Sequence, residues 1–429
     1  MEIAAWSQEE AYLRLYARCH DRIIAEGRLA DVPPDEREQA IDMLVSQFLY
    51  EMRVQLGRAE RDRLVREITW DLLSYGPITP LLQDDTISEV MVNGPRQVYV
   101  ERGGRLELTG VRFRDEEHLR LVIDRIVSGL GRRIDESSPM VDARLPDGSR
   151  VNAIIPPVSL VGPVLTVRKF VRSRLTAEEL VRMGSITTSM VELLRLCVVG
   201  KLNILVSGGT GTGKTTVLNL LSSFIPHDER LISIEDTAEL QLRHPHWIRL
   251  ETRPPNVEGR GEVTARDLLR NALRMRPDRI IIGEVRGAEA FEMVQAMNTG
   301  HEGGMSTLHA NTTQDAVSKL ASYMRYAGLV HDTDVINAQI ASAIHLLVHV
   351  HRFQDGSRKV VAVSEVTGLE GTQVAVRDIW RFRRESSQDG SVKGRFELCC
   401  PGPRVAEVLA ERGVVVPAEL LRPGQTEAD

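Results

Sequence analysis

The stretch from Leu202 to Thr216 constrains this chain more than any other. Leu202, Ile204, Leu205 and Val206 predict a short buried strand. Gly208, Gly209, Thr210, Gly211, Thr212 and Gly213 form a glycine-rich turn, and Lys214, Thr215 and Thr216 open an apolar-periodic helix that runs to Phe224. Gly208, Gly213, Lys214 and Thr215 fit the spacing G-x-x-x-x-G-K-[ST], in the strand–loop–helix context that this phosphate loop requires. Glycines let backbone N–H groups turn inward around a polyphosphate, and the helix start adds roughly half a positive charge. Lys214 is placed to neutralise the β- and γ-phosphates, and the Thr215 hydroxyl to take one Mg²⁺ position. An ordinary glycine turn is the competing reading, and the full spacing with both flanking elements weighs against it. The stretch predicts a nucleotide site.

The rest of the composition sets limits. A chain of 429 residues holds two or three domains. Its net charge of −6 argues against broad nonspecific binding to DNA or RNA. Four cysteines are too few for a disulfide framework. No apolar run reaches the roughly eighteen residues that span a bilayer, and Met1–Trp6 lacks the features of a cleavable signal. Membrane association is therefore expected to be peripheral, in a reducing cytoplasm.

Residues 1–75 predict a helical domain. Ser7 with Glu10 makes a capping box, and apolar stripes follow through Tyr12, Tyr16, Cys19 and Ile23, then Ile41, Leu44, Phe48, Met52 and Leu56, then Leu64, Ile68 and Leu72. Residues 76–170 predict a smaller α+β domain, with hairpins near 97–108 and 140–155 and one amphipathic helix over 115–129. Residues 171–185 read as a linker carrying a short helix capped by Thr176 and Glu179. From 186 to 370, apolar strands alternate with helices, which predicts an α/β domain with a mainly parallel sheet. Residues 371–429 read as a C-terminal extension, strand-like near 373–382, with a loose segment at 384–394, a short helix at 404–412 and a polar tail.

Leu231–Glu235 and Arg279–Gly283 are apolar strands that end in carboxylates, Glu235 with Asp236 and Glu284, with Arg286 just past the latter. Open parallel sheets collect ligands beyond the carboxyl ends of their strands. Phosphoryl transfer to water needs Mg²⁺ and a carboxylate to orient or deprotonate the water, so Glu235 and Glu284 are candidates, with helix capping as the rival role. His309, after the glycines of Thr299–Gly304 and a short strand, can hydrogen-bond a γ-phosphate or serve as a structural hydrogen-bonder. His345, His349 and His351 share one side of an alternating stretch and predict a solvated face rather than a metal site.

The order of phosphate loop, Ile-Glu-Asp box (234–236), Ile-Ile-Gly-Glu strand (281–284) and glycine-rich histidine box resembles the secretion-ATPase superfamily, the hexameric RecA-like motors of type II and type IV secretion and of type IV pilus assembly. Upstream, 88–95, 131–140 and 142–152 resemble the tight-adherence (Flp) pilus assembly ATPases of the CpaF type. The resemblance covers roughly residues 70–370. It implies a RecA-like domain preceded by a PAS-like α+β domain. It makes 208–216 the Walker A loop, Glu235 the likelier water activator, Glu284 the Walker B acid at Mg²⁺ or water, and His309 the His-box member. Arg144, Arg150 and Arg168 best match the arginines that such proteins bring to the nucleotide, with surface charge as the rival role; Arg270 and Arg274 are weaker candidates. The four-cysteine zinc module of many extension and type II ATPases has no match here.

The expectation is an ATP- and Mg²⁺-using homohexameric motor on the cytoplasmic face of the inner membrane, driving assembly of a pilus through a platform protein, without direct nucleic-acid contact. Rival readings are a type IV secretion ATPase exporting protein or DNA, a RecA-like nucleic-acid motor, and a nucleotide-gated scaffold that does not hydrolyse.

Overall fold

A computed structural model describes residues 8–170, 175–255, 260–328, 332–385 and 392–422. The chain divides into two compact units, Met1–Val171 and Arg172–Asp429.

The first unit opens with helices α1 (Gln8–Glu26), α2 (Arg37–Glu51) and α3 (Arg58–Leu73). Their stripes meet in one cluster built on Tyr16, Cys19, Ile23, Ile41, Val45, Phe48, Leu64 and Ile68. Gly27, at φ +61°, stops α1 as its freedom allows. The capping box at Ser7 lies outside the described residues. The second helix is shorter than its stripe suggested: it ends at Glu51, and Leu56 joins the core from the loop beyond.

A short α4 (Thr79–Gln83) leads into strands β1 (Ile87–Asn93), β2 (Val98–Arg102) and β3 (Arg105–Leu108), then helix α5 (Glu116–Gly129), then β4 (Met140–Arg144), β5 (Arg150–Ile154) and β6 (Val164–Arg168). The sheet is antiparallel throughout, in the order β3-β2-β1-β6-β5-β4. Asp115 caps α5 by accepting the His118 N–H at 2.8 Å. The helix lays Leu119, Val122 and Ile123 in one cluster with Val90, Val92, Val100 and Val167. The helical layer is tied to this α+β layer through Asp71 of α3. Its carboxylate accepts the Tyr16 hydroxyl and lies 2.8 Å from His118 Nε2. The Arg114 N–H faces His118 Nδ1 at 3.3 Å, which leaves the ring proton on Nε2.

The second unit begins with α6 (Ala177–Arg182) and α7 (Thr188–Val199). The later half of the expected 171–185 linker is not loose. Leu180 is in the core, Lys359 Nζ donates to Gly184 O at 2.8 Å, and Val360 N donates to Ser185 O. Residues 171–174 lie outside the described residues. There follow β7 (Ile204–Gly208), α8 (Lys214–Ser222), β8 (Leu231–Glu235), β9 (Trp247–Glu251), α9 (Ala265–Ala272), β10 (Arg279–Val285), α10 (Glu289–Asn298), β11 (Met305–His309), α11 (Thr313–Arg325), α12 (Thr333–Ala343) and β12 (Leu346–Arg352). Last come β13 (Arg358–Glu370), β14 (Gln373–Glu385), β15 (Lys393–Leu398) and α13 (Arg404–Glu411).

One sheet of nine strands runs β15-β14-β13-β12-β7-β11-β10-β8-β9; the six from β12 to β9 are parallel, and β13 to β15 join antiparallel. Alternate side chains feed two cores. Ile204, Val206, Ile281, Leu346 and Val348 face α7 and α8, while Leu205, Ile232, Ile282 and Leu347 face α9 to α12. Residues 371–429 are therefore no appendage: β14 and β15 extend this sheet, and Leu409 of α13 packs in its core. The loose segment expected at 384–394 is cut short on both sides by strand, with 386–391 outside the described residues.

Candidate functional site

The phosphate-loop residues sit where the sheet's central strand ends. Gly208 closes β7, with Val350 of β12 opposite it on one side and His309 of β11 on the other. A Cβ at Gly208 would lie 2.4 Å from the Val350 carbonyl oxygen and 2.6 Å from Thr212 Oγ1, so only glycine lets the chain turn here. Gly211 and Gly213 hold φ of +69° and +100°, the left-handed turn that aims Gly213 into the start of α8. Thr212 Oγ1 donates to Gly209 O at 3.0 Å and braces the loop. Thr215 and Thr216, both half-buried, lie in the first turn of α8. That turn exposes N–H groups and the positive end of the helix, an anion receptor in itself.

Lys214 folds back over this cradle. Its Nζ donates to Gly209 O at 2.9 Å and Gly208 O at 3.2 Å, and lies 3.8 Å from Glu284 Oε1. Glu284, near the tip of β10, also accepts from Arg286 Nε at 2.9 Å, and Arg286 Nη1 reaches Asp236 Oδ2 at 3.7 Å. The loop lysine, the β10 carboxylate and the acid after β8 thus form one ionic chain along three strand tips.

Glu235 is deployed differently. It is 4% exposed, and its Oε2 accepts from the N–H groups of Glu239 and Leu240, each at 2.7 Å. One oxygen therefore pins the loop that follows β8; that loop leads straight to β9 without a helix, so Glu235 is not a helix cap. The other, Oε1, is buried and takes no hydrogen bond among the described residues. Burial pushes the carboxyl above its ordinary range, against the two N–H donors that favour the anion. Gly283 makes room, since a Cβ there would lie 3.0 Å from Glu235 Cγ. A carboxyl with one anchored oxygen, one unsatisfied oxygen and a raised pKa can take up and release a proton.

His309, half-buried, ends β11 beside Gly208, and its carbonyl accepts Lys319 Nζ at 3.1 Å. Of the three histidines expected on a solvated face, His351 is exposed and the other two depart from expectation. His345 and His349 are not on a solvated face. His349 is 6% exposed, with Nδ1 2.9 Å from Ser207 Oγ, and His345 Nδ1 accepts the Asn203 N–H at 3.1 Å. The strand is covered on both sides, so alternation there carries no solvent signal.

Arg144, Arg150 and Arg168 belong to the first unit, where register sets them side by side: Arg144 is opposite Arg150, and Arg150 opposite Arg168. The same row continues into β1, where Glu89 is opposite Arg168 and sets a carboxylate beside the three cations. Arg270 is instead committed to Glu292, which it shares with Arg266, each at 2.7 Å, and Arg274 is exposed.

Sequence reasoning passed over two further arginines. Arg358 Nε donates to Gly211 O at 2.9 Å, and Arg352 Nη1 would lie 3.4 Å from a Cβ at Gly211. Their only signal was a basic residue on either side of the Asp355-Gly356 turn.

Comparison with known proteins agrees with this geometry. The family described as "Type II/IV secretion system protein" matches residues 71–388. A putative conjugal transfer protein of Mycobacterium tuberculosis is 38% identical over 342 residues, covering 78% of this chain and 96% of that one. The type IV secretion system protein VirB11 of Brucella suis is 32% identical over 314 residues, covering 67% and 87%. Among solved structures, the pilus retraction motor PilT with bound ADP is alike in fold, with a TM-score of 0.51 at 19% identity over 79% of this chain and 86% of that one.

Proposed function

The chain belongs to the type II/IV secretion system protein family, and from that premise we propose that it is an Mg²⁺-dependent ATPase, working as a homohexameric ring that powers assembly of a tight-adherence, type IV-like pilus. The reading places it at the cytoplasmic face of the inner membrane, bound through a platform protein. Among the described residues no helix is long and apolar enough to cross a membrane. A ring closes head-to-tail interfaces that would otherwise propagate.

The observation that carries the reading is the pairing of Lys214 with both the loop carbonyls and Glu284. Lys214 exchanges the carbonyls of Gly208 and Gly209 for the β- and γ-phosphates, while the loop N–H groups hold the β-phosphate. The Thr215 hydroxyl and the Glu284 carboxylate are hard oxygen donors of the kind Mg²⁺ takes, one or two from protein with the rest from phosphate and water. The chemistry a bound Mg²⁺ supplies is neutralisation of charge on the β- and γ-oxygens. Glu235 Oε1 accepts the proton of the attacking water as its oxygen bonds to the γ-phosphorus. The bond from that phosphorus to the bridging oxygen breaks, leaving ADP and phosphate. His309 is the residue that this reading assigns to hydrogen-bond the γ-phosphate or its replacement water. The family resemblance assigns Arg144, Arg150 and Arg168 to the arginines that such proteins bring to the nucleotide, a role worth about 10³ to 10⁵ in rate for one well-placed arginine.

Glu284→Gln is expected to lower phosphate release by at least about a hundredfold while ATP binding persists, and Lys214→Ala to lose both. Turnover retained by Lys214→Ala would overturn the assignment. A second reading keeps the ATPase and changes the cargo to protein or DNA export. The conjugal transfer and VirB11 names of the relatives favour it. Identifying the integral membrane protein that co-purifies with the full chain separates a pilus platform from a type IV secretion channel.

A further inference from the structure

His349 and Ser207 form a buried polar pair behind the phosphate loop. They stand opposite each other in register on β12 and β7, with Leu308 of β11 opposite Ser207 on its other side. On this face of the sheet the neighbours Leu205, Leu308 and Leu347 belong to the apolar cluster packed under α9 to α12. Ser207 is fully buried and His349 6% exposed, and the ring Nδ1 lies 2.9 Å from Ser207 Oγ. Ser207 is the last residue before Gly208, where the chain turns into the loop. The ring also bonds the backbone of Asn311, two residues past His309.

Burial, and after it the charge of His351, holds the ring's pKa below its ordinary value, while the Asn311 bond works the other way. A backbone group that favours the charged ring is a carbonyl accepting a ring N–H. A neutral imidazole has one N–H and one lone pair, so with Nδ1 on Ser207 the N–H is on Nε2 and serves Asn311, and Nδ1 accepts the Ser207 hydroxyl. One ring therefore spans three strand ends: it stands on β12, bonds the end of β7 and reaches the backbone just past β11. The same segment is held by α11, where Asp315 Oδ2 accepts the Asn311 N–H at 2.8 Å and Lys319 Nζ donates to His309 O at 3.1 Å. An apolar pair of similar shape would fill this row at little cost in stability, because replacing both partners of a buried hydrogen bond is close to neutral. What an apolar pair cannot do is fix Asn311 relative to Ser207.

We propose that His349 is a positioning residue for ATP hydrolysis, fixing the segment that carries His309 against the strand that leads into the phosphate loop. The proposal rests on reading His309 as the group that meets the γ-phosphate or its replacement water. The loop itself is braced separately, by the bond from Thr212 Oγ1 to Gly209 O and by Lys214 on the carbonyls of Gly208 and Gly209. Loss of the His349 bridge is therefore felt in the chemical step, through a misplaced His309, and not in nucleotide affinity.

The test compares full chains by steady-state phosphate release, mant-ADP titration and thermal melts. Ser207→Ala/His349→Leu removes both partners of the pair at once. It is expected to melt within a few degrees of the native chain and to bind mant-ADP within about twofold, while kcat falls about tenfold. A pair that serves stability alone predicts native kcat once the melt is native. His349→Asn keeps an acceptor for the Ser207 hydroxyl but is too short to reach Asn311; it is expected to show the same fall in kcat, and it carries the test if the double variant does not fold. Adding His309→Ala to either variant is expected to lower kcat no further than His309→Ala alone, since both act through one group. Native kcat in these His349 variants beside a slow His309→Ala would overturn the bridge and leave the reading of His309 standing. Losses that multiply with that of His309→Ala, or a weakened mant-ADP affinity that accounts for the lost turnover, would overturn the bridge as well. Native kcat in His309→Ala would remove the reading of His309 and the bridge together.

Discussion

His345 ties the entry of β12 to the entry of β7, and it does so only while neutral. Its Nδ1 accepts the Asn203 N–H at 3.1 Å, and the Asn203 side chain in turn donates to Ala343 O at 2.7 Å and accepts from Gly304 N at 3.0 Å. Protonating the ring puts a donor where an acceptor is needed, inside a buried junction of three strands. Burial, with the charges of Arg412 and Arg404 nearby, lowers the pKa from 6.5 to about 4. Because the folded value lies below the unfolded one, the stabilisation is fully present above pH 6.5 and is lost as pH falls from there through 4. At about 1.4 kcal/mol per unit the whole shift is worth about 3 kcal/mol, of which about 2 kcal/mol is gone by pH 5. Urea unfolding followed from pH 7.5 to pH 5 reads this directly. His345→Asn keeps an acceptor near the same place without a titrating ring, so the variant is expected to lose about 2 kcal/mol less than the native chain over that interval. Parallel losses in the two proteins would refute the reasoning.

Two further outcomes follow from close contacts. Gly208→Ala forces a methyl to within 2.4 Å of the Val350 carbonyl in the middle of the sheet, where neither strand can retreat; a loss of about 1–3 kcal/mol in unfolding free energy is expected, with weaker ADP binding by titration. Asp71→Asn removes the anion that His118 and Tyr16 address. Burial favours the neutral acid, but the hydrogen bonds from His118 and Tyr16 and the Arg114 charge win and hold the Asp71 carboxyl below its ordinary range. Its stabilisation is therefore present above the unfolded carboxylate pKa and lost as pH falls through the folded one. The variant is expected to cost about 2 kcal/mol or more at pH 7 and to expose residues 8–73 to limited proteolysis before the α+β core, followed by mass spectrometry.

What was legible in the sequence was what local physics writes there. The glycine pattern of 208–213, the apolar runs of β7, β8, β10 and β11 and the Thr176–Glu179 cap each encode their own geometry within a few residues. The far side of the sheet was legible only in part, with β14 read as strand near 373–382 and β15 not. β15 buries Phe396 while Lys393, Arg395 and Glu397 leave it with the composition of a loop, and only pairing with β14 makes it a strand. His349 was misjudged because alternation was read without the neighbours that cover both faces. Its partner Ser207 is 142 positions away, as remote as Arg358 is from Gly211 at 147. Groups that meet across such separations leave no periodic trace, so the site was half visible: the loop and the strand-end acids, but not the hairpin that overhangs them.

On the proposed function, the resting contacts of Lys214 also set the order of events. Its ammonium is satisfied by two carbonyls and a carboxylate, so a nucleotide must replace these bonds rather than fill a vacancy. Release from Gly208 and Gly209 costs part of the binding energy, and the phosphates offset it because they carry more charge than two carbonyls. The same movement takes Lys214 away from Glu284 and leaves that carboxylate facing the phosphates with Arg286 as its remaining cation. One side chain that changes partners therefore links occupancy of the loop to the readiness of the β10 carboxylate. A ligand that does not draw Lys214 off Glu284 has no means of preparing it. Glu235, by contrast, is anchored by Glu239 and Leu240 whether or not Lys214 moves, so its proton affinity is set by the fold and the lysine exchange does the gating.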